Sequence, residues 1–335
     1  MAVIPREVDF EPVNALVQIH RGKVRHSYAL PDHPELMLVV ASNRLSIFDF
    51  VLPAQVSRKG EVLTAMNVFW REKIPEFVAL LEHEIRDELV AFGPAIDQYL
   101  PLYLRDKADL HRIAVVVRKL ETIPFEMVVR GYLTGGGWKE YMKARQVSGH
   151  HLPDGLKKHD KLVHPLFTPS TKANVGHDVA VDFRDVMTRY PGIDKLVIDI
   201  YSAANGYAAS RGIVIADTKF EAGWRSGEKN SSSYLIIDEV LTPDSSRFGK
   251  ADDWKMAVET GGDPSPFDKQ LVRQWGIEIG IDKRDPENEE DVRWVHAQRV
   301  PEDILQKTTA TYLEIFEILT GDSLDTFHET HMRIR

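Results

Sequence analysis

The sequence predicts a mixed fold, α+β or α/β, from three observations. Residues 15–42 read as short antiparallel strands, 194–211 as a helix delivered directly into a strand at 213–220, and 301–319 as a long amphipathic helix. A chain of 335 residues is too long for one small core and implies two or three subdomains. Its apolar share of 43% and charged share of 28% are those of an ordinary globular protein. No apolar run reaches bilayer-spanning length, and the first dozen residues lack the basic start and apolar core of a signal peptide. The absence of cysteine excludes disulfides, thiolate metal sites and a cysteine nucleophile, and fits a cytoplasmic location. A formal charge of −9 argues against nucleic acid as the main partner. A small anionic substrate is still compatible, because local basic groups act within about 8 Å in physiological salt.

Taken in order, 16–20, 23–30 and 36–41 are strand candidates separated by Arg21-Gly22 and a proline-flanked turn. Gly22 lets backbone approach a phosphate, and Lys23 and Arg25 alternate along the strand that follows it. No Walker or dinucleotide-binding glycine motif accompanies them. Val62, Ala65, Met66 and Phe69 fall at helical spacing within 61–71. The runs 110–120 and 128–133 read as strands, with 119–124 as a hinge between lobes. Three consecutive glycines, Gly135 to Gly137, follow Arg130, whose guanidinium fork matches phosphate; this is the pattern of a flexible turn or of a backbone cradle for an anion. Residues 138–143 read as a helical turn, and 152–178 as a long irregular loop with the hydroxyls and cation of Thr168 to Lys172 and the pair His177-Asp178. The histidines have no zinc-site spacing. Gly212 stops the helix at 194–211. Farther on, Asp268 is a cap candidate for a helix reaching Trp275, 282–291 reads as a solvated charged linker, and 301–319 starts at Pro301 and stops at Gly321.

The most informative stretch is 213–248. Two apolar runs, 213–220 and 234–241, flank a Gly/Ser tract, which predicts a β-hairpin with a long loop. Alternate strand residues share a face, so Asp217, Lys219 and Glu221 point the same way. Strand pairing can bring Glu221 and Asp238 to one cation. Such oxygens suit Mg²⁺, which takes one or two carboxylates plus substrate phosphates, and Lys219 adds a point charge for a phosphate. An exposed hairpin face with solvated charges has the same pattern.

Seven segments carry a resemblance: GKVRHSY (22–28), ASNRLSIFDFVLP (41–53), VVRGYLTGGGWKEY (128–141), FTPSTKANVGHD (167–178), IADTKFEAG (215–223), DEVLTPDSSRF (238–248) and PFDKQLVRQW (266–275). In these, and in their order, the chain resembles the phosphoribosylaminoimidazole-succinocarboxamide synthase family of de novo purine biosynthesis. The resemblance implies an N-terminal antiparallel β lobe (1–120), a larger α/β lobe (121–300), a C-terminal helix packed on the body (301–335) and an ATP cleft between the lobes. It implies an ATP-dependent ligation of a carboxyaminoimidazole ribonucleotide to aspartate, yielding ADP and phosphate. ATP and Mg²⁺ are the implied cofactors. The implied partners are small molecules, with neither nucleic acid nor membrane, and the protein is a monomer or homodimer. Lys23, Arg25 and Lys119 match ATP contacts, and Glu221 and Asp238 match metal and ATP ligands. Lys219, Lys172 and Asp178 match catalytic positions. Arg130, Gly135, Gly136, Arg247 and Arg273 match the ribonucleotide site.

The chain also departs from the family pattern. His26 and Asn43 stand where aspartates are usual, Gly136 where serine is common, Val179-Ala180 where Glu-Asn often follow, and Ala222 and Gly249 where aromatic residues are usual. Lys23, Arg130, Lys172, Lys219, Glu221 and Asp238 are spared. The readings these changes leave open are the purine ligase, a relative joining another carboxylate and amine, and a nucleotide-binding module without catalysis.

Overall fold

A computed structural model describes residues 11–79, 85, 88–172, 179–225, 227, 234–265, 267 and 269–335. It divides into two units of similar length, one made of Met1–Phe69, Glu88–Lys119 and Asp268–Arg335, the other of Trp70–Asp87 and Leu120–Phe267. Among the described residues every strand pairing in both is antiparallel, so the fold is α+β. Among the described residues no helix is long and apolar enough to cross a membrane.

In the first unit, β1 (Gln18–Arg21), β2 (Arg25–Leu30), β3 (His33–Ala41), β6 (Leu89–Phe92) and β7 (Ala114–Arg118) form a sheet in the order β1-β2-β3-β7-β6. β4 (Arg44–Ile47) and β5 (Phe50–Gln55) form a separate hairpin. Tyr28, Leu30, Leu36, Leu38 and Val40 alternate inward from β2 and β3 onto one core. The run 110–120 is only partly strand. Its start belongs to a helix, Ala108–Ile113, and the strand begins at Ala114.

Residues 268–300, which chain order places in the second lobe, cluster with the first unit. The reason is apolar packing: Val272, Trp275, Ile281, Val292 and Val295 bury against Leu45, Ile47, Phe50 and Leu52 of the β4–β5 hairpin. The charged stretch at 282–291 is not all linker. Asn288 accepts from the Glu290 and Asp291 amides and caps a helix, Glu289–Ala297. The helix expected at 301–319 runs Glu302–Thr320, with Pro301 before it and Gly321 at φ 86° after it, and a second helix, Leu324–Thr330, follows it in the C-terminal segment. Asp268, the cap candidate, lies outside the described residues.

The second unit is built on β9 (Phe125–Tyr132) and the long β14 (Ile213–Trp224). β8 (Glu121–Thr122), β15 (Leu235–Ile237) and β16 (Ser246–Lys250) pair β14, while β12 (Lys161–Phe167) and β13 (Ser170–Thr171) pair β9. β10 (Gln146–Val147) and β11 (His150–His151) make a small hairpin. The segment 152–178 therefore contains strand as well as loop. The expected hairpin forms, but only where Glu221–Gly223 pair with Leu235–Ile237; the run 213–220 pairs β9 and β16 instead. The helix Ile193–Ser210 precedes β14 as expected, and the Tyr201 hydroxyl donates to Ile215 O at 2.5 Å.

Candidate active site

β9 and β14 set the site through their register. Asp217 lies opposite Arg130, Lys219 opposite Val128 and Phe220 opposite Met127. Directly opposed residues of an antiparallel pair share a face. Glu126, Val128 and Arg130 therefore project on the same side as Asp217, Lys219 and Glu221. A register shift between Ile215 and Asp217 in the β14–β16 pairing re-aims this run of β14.

Two clusters occupy that face. In the first, Asp217 Oδ2 accepts from both Arg130 Nη1 and Arg247 Nη1, each at 2.8 Å. The carboxylate is mostly buried, and one anion so placed holds two guanidiniums side by side. The glycines Gly135 to Gly137, whose pattern is that of a loop, form the first turn of the helix Gly135–Ala144. They pack on the arginines. A Cβ on Gly135, at φ 54°, would meet Arg247 Nη1 at 2.8 Å, and one on Gly137 would meet Arg130 Cδ at 3.1 Å. Gly136 is roomier, its nearest atom being Arg130 Nη2 at 3.9 Å. Arg130 Nε is buried with no hydrogen-bond partner among the described residues. Two guanidiniums, an unpartnered N–H and a helix N-terminus are donors of the kind that suit a phosphate.

The second cluster surrounds Lys219. Its ammonium donates to Glu126 Oε1 at 2.7 Å and to Glu221 Oε1 at 3.3 Å, while Lys172 Nζ pairs with Glu221 Oε2. Ser170 Oγ donates to Glu126 Oε2 at 3.3 Å. Burial pulls the Lys219 pKa down, but Glu221, Glu126 and Asp238 outweigh it, so the net shift is upward and the ammonium stays charged. Asp238 is half-buried at φ 65°, and Arg71 Nη2 donates to its carbonyl at 3.0 Å. Glu126 is the member of this cluster that the motifs do not single out. Its signal is the two-residue alternation read backward along the strand from Arg130.

The remaining candidates fall as follows. Asp178 lies outside the described residues. β2 begins at Arg25, so Lys23 sits in the preceding turn and does not alternate with Arg25 along a strand; Lys23 pairs with Asp49. Gly22 N–H donates to Arg25 O at 2.8 Å and closes that turn. Lys119 Nζ donates to Pro34 O at 2.7 Å. Arg273 belongs to the first unit, its guanidinium 5.0 Å from the Phe48 ring centroid.

Three departures from the family pattern have local explanations. Asn43 Oδ1 accepts from Gly60 N–H at 3.0 Å, a bond that an aspartate would make equally well. His26 is buried, and Arg44 Nη2 donates to its Nε2 at 2.5 Å. Burial and Arg44 hold that imidazole neutral, its pKa lowered to about 4. Gly249 carries Trp254 directly over it, where a Cβ would meet Trp254 Cε3 at 2.7 Å, so an aromatic residue at 249 and this tryptophan exclude each other.

For Mg²⁺, no group of three or more His, Asp or Glu is placed to hold a metal ion among the described residues. The donor set nevertheless fits an ion that takes one or two carboxylates and completes its shell with phosphate oxygens and water. Glu221 already draws an ammonium to each of its oxygens.

The strands thus present cationic and carboxylate groups of the kind used by enzymes that handle phosphate-bearing substrates. The description "SAICAR synthetase" belongs to the family model that matches residues 18–289. A phosphoribosylaminoimidazole-succinocarboxamide synthase of Thioalkalivibrio sulfidiphilus is 41% identical over 318 residues, covering 93% of this chain and 97% of that protein. One from Maridesulfovibrio salexigens is 38% identical over 320 residues, covering 93% and 97%. The SAICAR synthase of Saccharomyces cerevisiae, solved with SAICAR, superposes with a TM-score of 0.75 at 33% identity, over 96% of this chain and 99% of that one. The chain belongs to the SAICAR synthetase family.

Proposed function

We infer that this protein is an ATP-dependent carbon–nitrogen ligase of purine biosynthesis. It joins carboxyaminoimidazole ribonucleotide to L-aspartate and yields the succinocarboxamide ribonucleotide, ADP and phosphate. The observation that carries the reading is Asp217 clamping Arg130 and Arg247 on the same strand face that carries Lys219, Glu126 and Glu221. Family membership and the names of the full-length relatives support it.

A carboxylate resists attack by an amine because its charge repels the lone pair. Transfer of the γ-phosphoryl group to it makes an acyl phosphate, and phosphate then leaves as the amine adds. Arg130, Arg247 and the amides around Gly135 and Gly136 bind the ribonucleotide 5′-phosphate. Lys219 and Lys172 place positive charge where phosphoryl oxygens accumulate negative charge, the main protein contribution to such transfers. Glu126 holds the Lys219 ammonium in place. Glu221 and Asp238 would hold Mg²⁺, which when bound neutralises phosphate charge. Lys23, Arg25 and Lys119 in the first unit are proposed nucleotide contacts, Asp178 a proposed catalytic group, and Arg273 a proposed substrate contact.

The test is steady-state turnover with ATP, the ribonucleotide and aspartate. Phosphate release that requires all three, and a raised ribonucleotide KM in Arg130→Ala, support the reading. Release that ignores the ribonucleotide, or an unchanged Arg130→Ala KM and kcat, reject it.

A further inference from the structure

Glu221 is the proposed metal ligand, yet both of its oxygens are taken by ammonium groups: Oε1 by Lys219 and Oε2 by Lys172. The two lysines are held differently. Lys219 projects from the middle of β14 and has a second carboxylate, Glu126, at 2.7 Å. It therefore keeps a partner if Glu221 turns to another cation. Lys172 follows the two-residue strand β13, its side chain is 41% exposed, and among the described residues its ion pair is the one to Glu221. A carboxylate that is 9% exposed is costly to leave short of compensating positive charge.

We propose that Lys172 is a place-holding cation: its ammonium neutralises Glu221 until a divalent cation takes that carboxylate, and its displacement delivers a positive charge to the anionic oxygens of a substrate. The inference rests on the reading of Glu221 as a metal ligand. The exchange keeps the carboxylate neutralised throughout. The incoming divalent ion replaces an ammonium, and the released ammonium becomes available just when phosphate oxygens must be neutralised. Lys219 stays in register through Glu126 and the strand. A conventional lysine contact would be present with or without metal. A place-holder instead couples metal binding to anion binding, so each strengthens the other by the same factor.

Mn²⁺ alone is the probe, with binding followed by electron paramagnetic resonance and lysine accessibility by acetic anhydride labelling and peptide mass spectrometry. In the wild-type protein Lys172 is expected to be protected without Mn²⁺ and to label several-fold faster with it. In Glu221→Gln it should label fast under both conditions. Lys172→Met should bind Mn²⁺ roughly five- to tenfold more tightly, because the ammonium on Glu221 Oε2 no longer competes. Mn²⁺ binding that needs Glu221 but leaves Lys172 labelling unchanged overturns the exchange and spares the metal site. Mn²⁺ binding that is absent, or indifferent to Glu221→Gln, overturns the metal site and the exchange together.

Discussion

Glu126 accepts a hydrogen bond from the Lys219 ammonium at 2.7 Å across the β9–β14 pairing, although the two residues lie 93 positions apart. With Glu221 on the other side, this contact fixes a charged group that would otherwise swing on four methylenes. Replacing Glu126 by glutamine keeps the shape and removes the charge. A charge-assisted hydrogen bond is worth about 1.5–3 kcal/mol, so kcat is expected to fall roughly 10- to 100-fold. The ribonucleotide KM should change little, because that phosphate is assigned to Arg130 and Arg247. Steady-state kinetics of Glu126→Gln check both parts.

Asp217 organises the other cluster. Asn at this position leaves Arg130 and Arg247 to repel each other and to lose their common alignment. The ribonucleotide KM of Asp217→Asn is expected to rise at least about tenfold, with the ATP KM nearly unchanged. A rise in the ATP KM alone would place the phosphate receptor elsewhere.

Gly249 lies under Trp254, whose indole N–H donates to His159 O at 2.9 Å and whose ring meets Tyr132 edge-on. A methyl group at 249 has no room without moving that ring. Gly249→Ala is expected to destabilise the protein by about 1–3 kcal/mol, the usual range for overpacking. Adding Trp254→Leu should recover part of the loss relative to Trp254→Leu alone. Thermal denaturation of the three variants measures the coupling.

Two buried histidines of the first unit make stability pH-dependent. His26 and His328 are each lowered from 6.5 to about 4, mainly by burial. Between those values the unfolded chain binds protons that the folded protein refuses, so stability falls as pH drops from 6.5 toward 4 and levels off below. The melting temperature is therefore expected to decline from pH 7 to pH 5. His26→Gln, which cannot titrate, should flatten part of that slope.

The strand-borne part of the site is legible in the sequence because two-residue alternation is a local property. Asp217, Lys219 and Glu221 share a face whatever they pair with, and the expected hairpin forms with Glu221 opposite Ile237. Glu126 is harder to find because its partner is set by register between distant strands, which no local pattern encodes. The glycine triplet reads as a loop, since three glycines disfavour a helix. Packing against Arg130 and Arg247 leaves no room for side chains at Gly135 and Gly137, which explains the choice of residue despite its poor propensity. The helix Glu289–Ala297 is hidden by its charge, although Asn288 followed by three acids is a helix-start signal. Placing 268–300 in the second lobe follows chain order, whereas Trp275 and Val292 follow apolar surface on Ile47 and Phe50.

In the proposed reaction ATP is spent on activating a carboxylate for attack by an amine. The measurement is one turnover with the ribonucleotide carboxylate labelled in both oxygens with ¹⁸O, followed by mass spectrometry of the released phosphate. One ¹⁸O atom is expected in each phosphate, because the oxygen that attacks the γ-phosphorus departs with it. Unlabelled phosphate accompanying the amide product would contradict it.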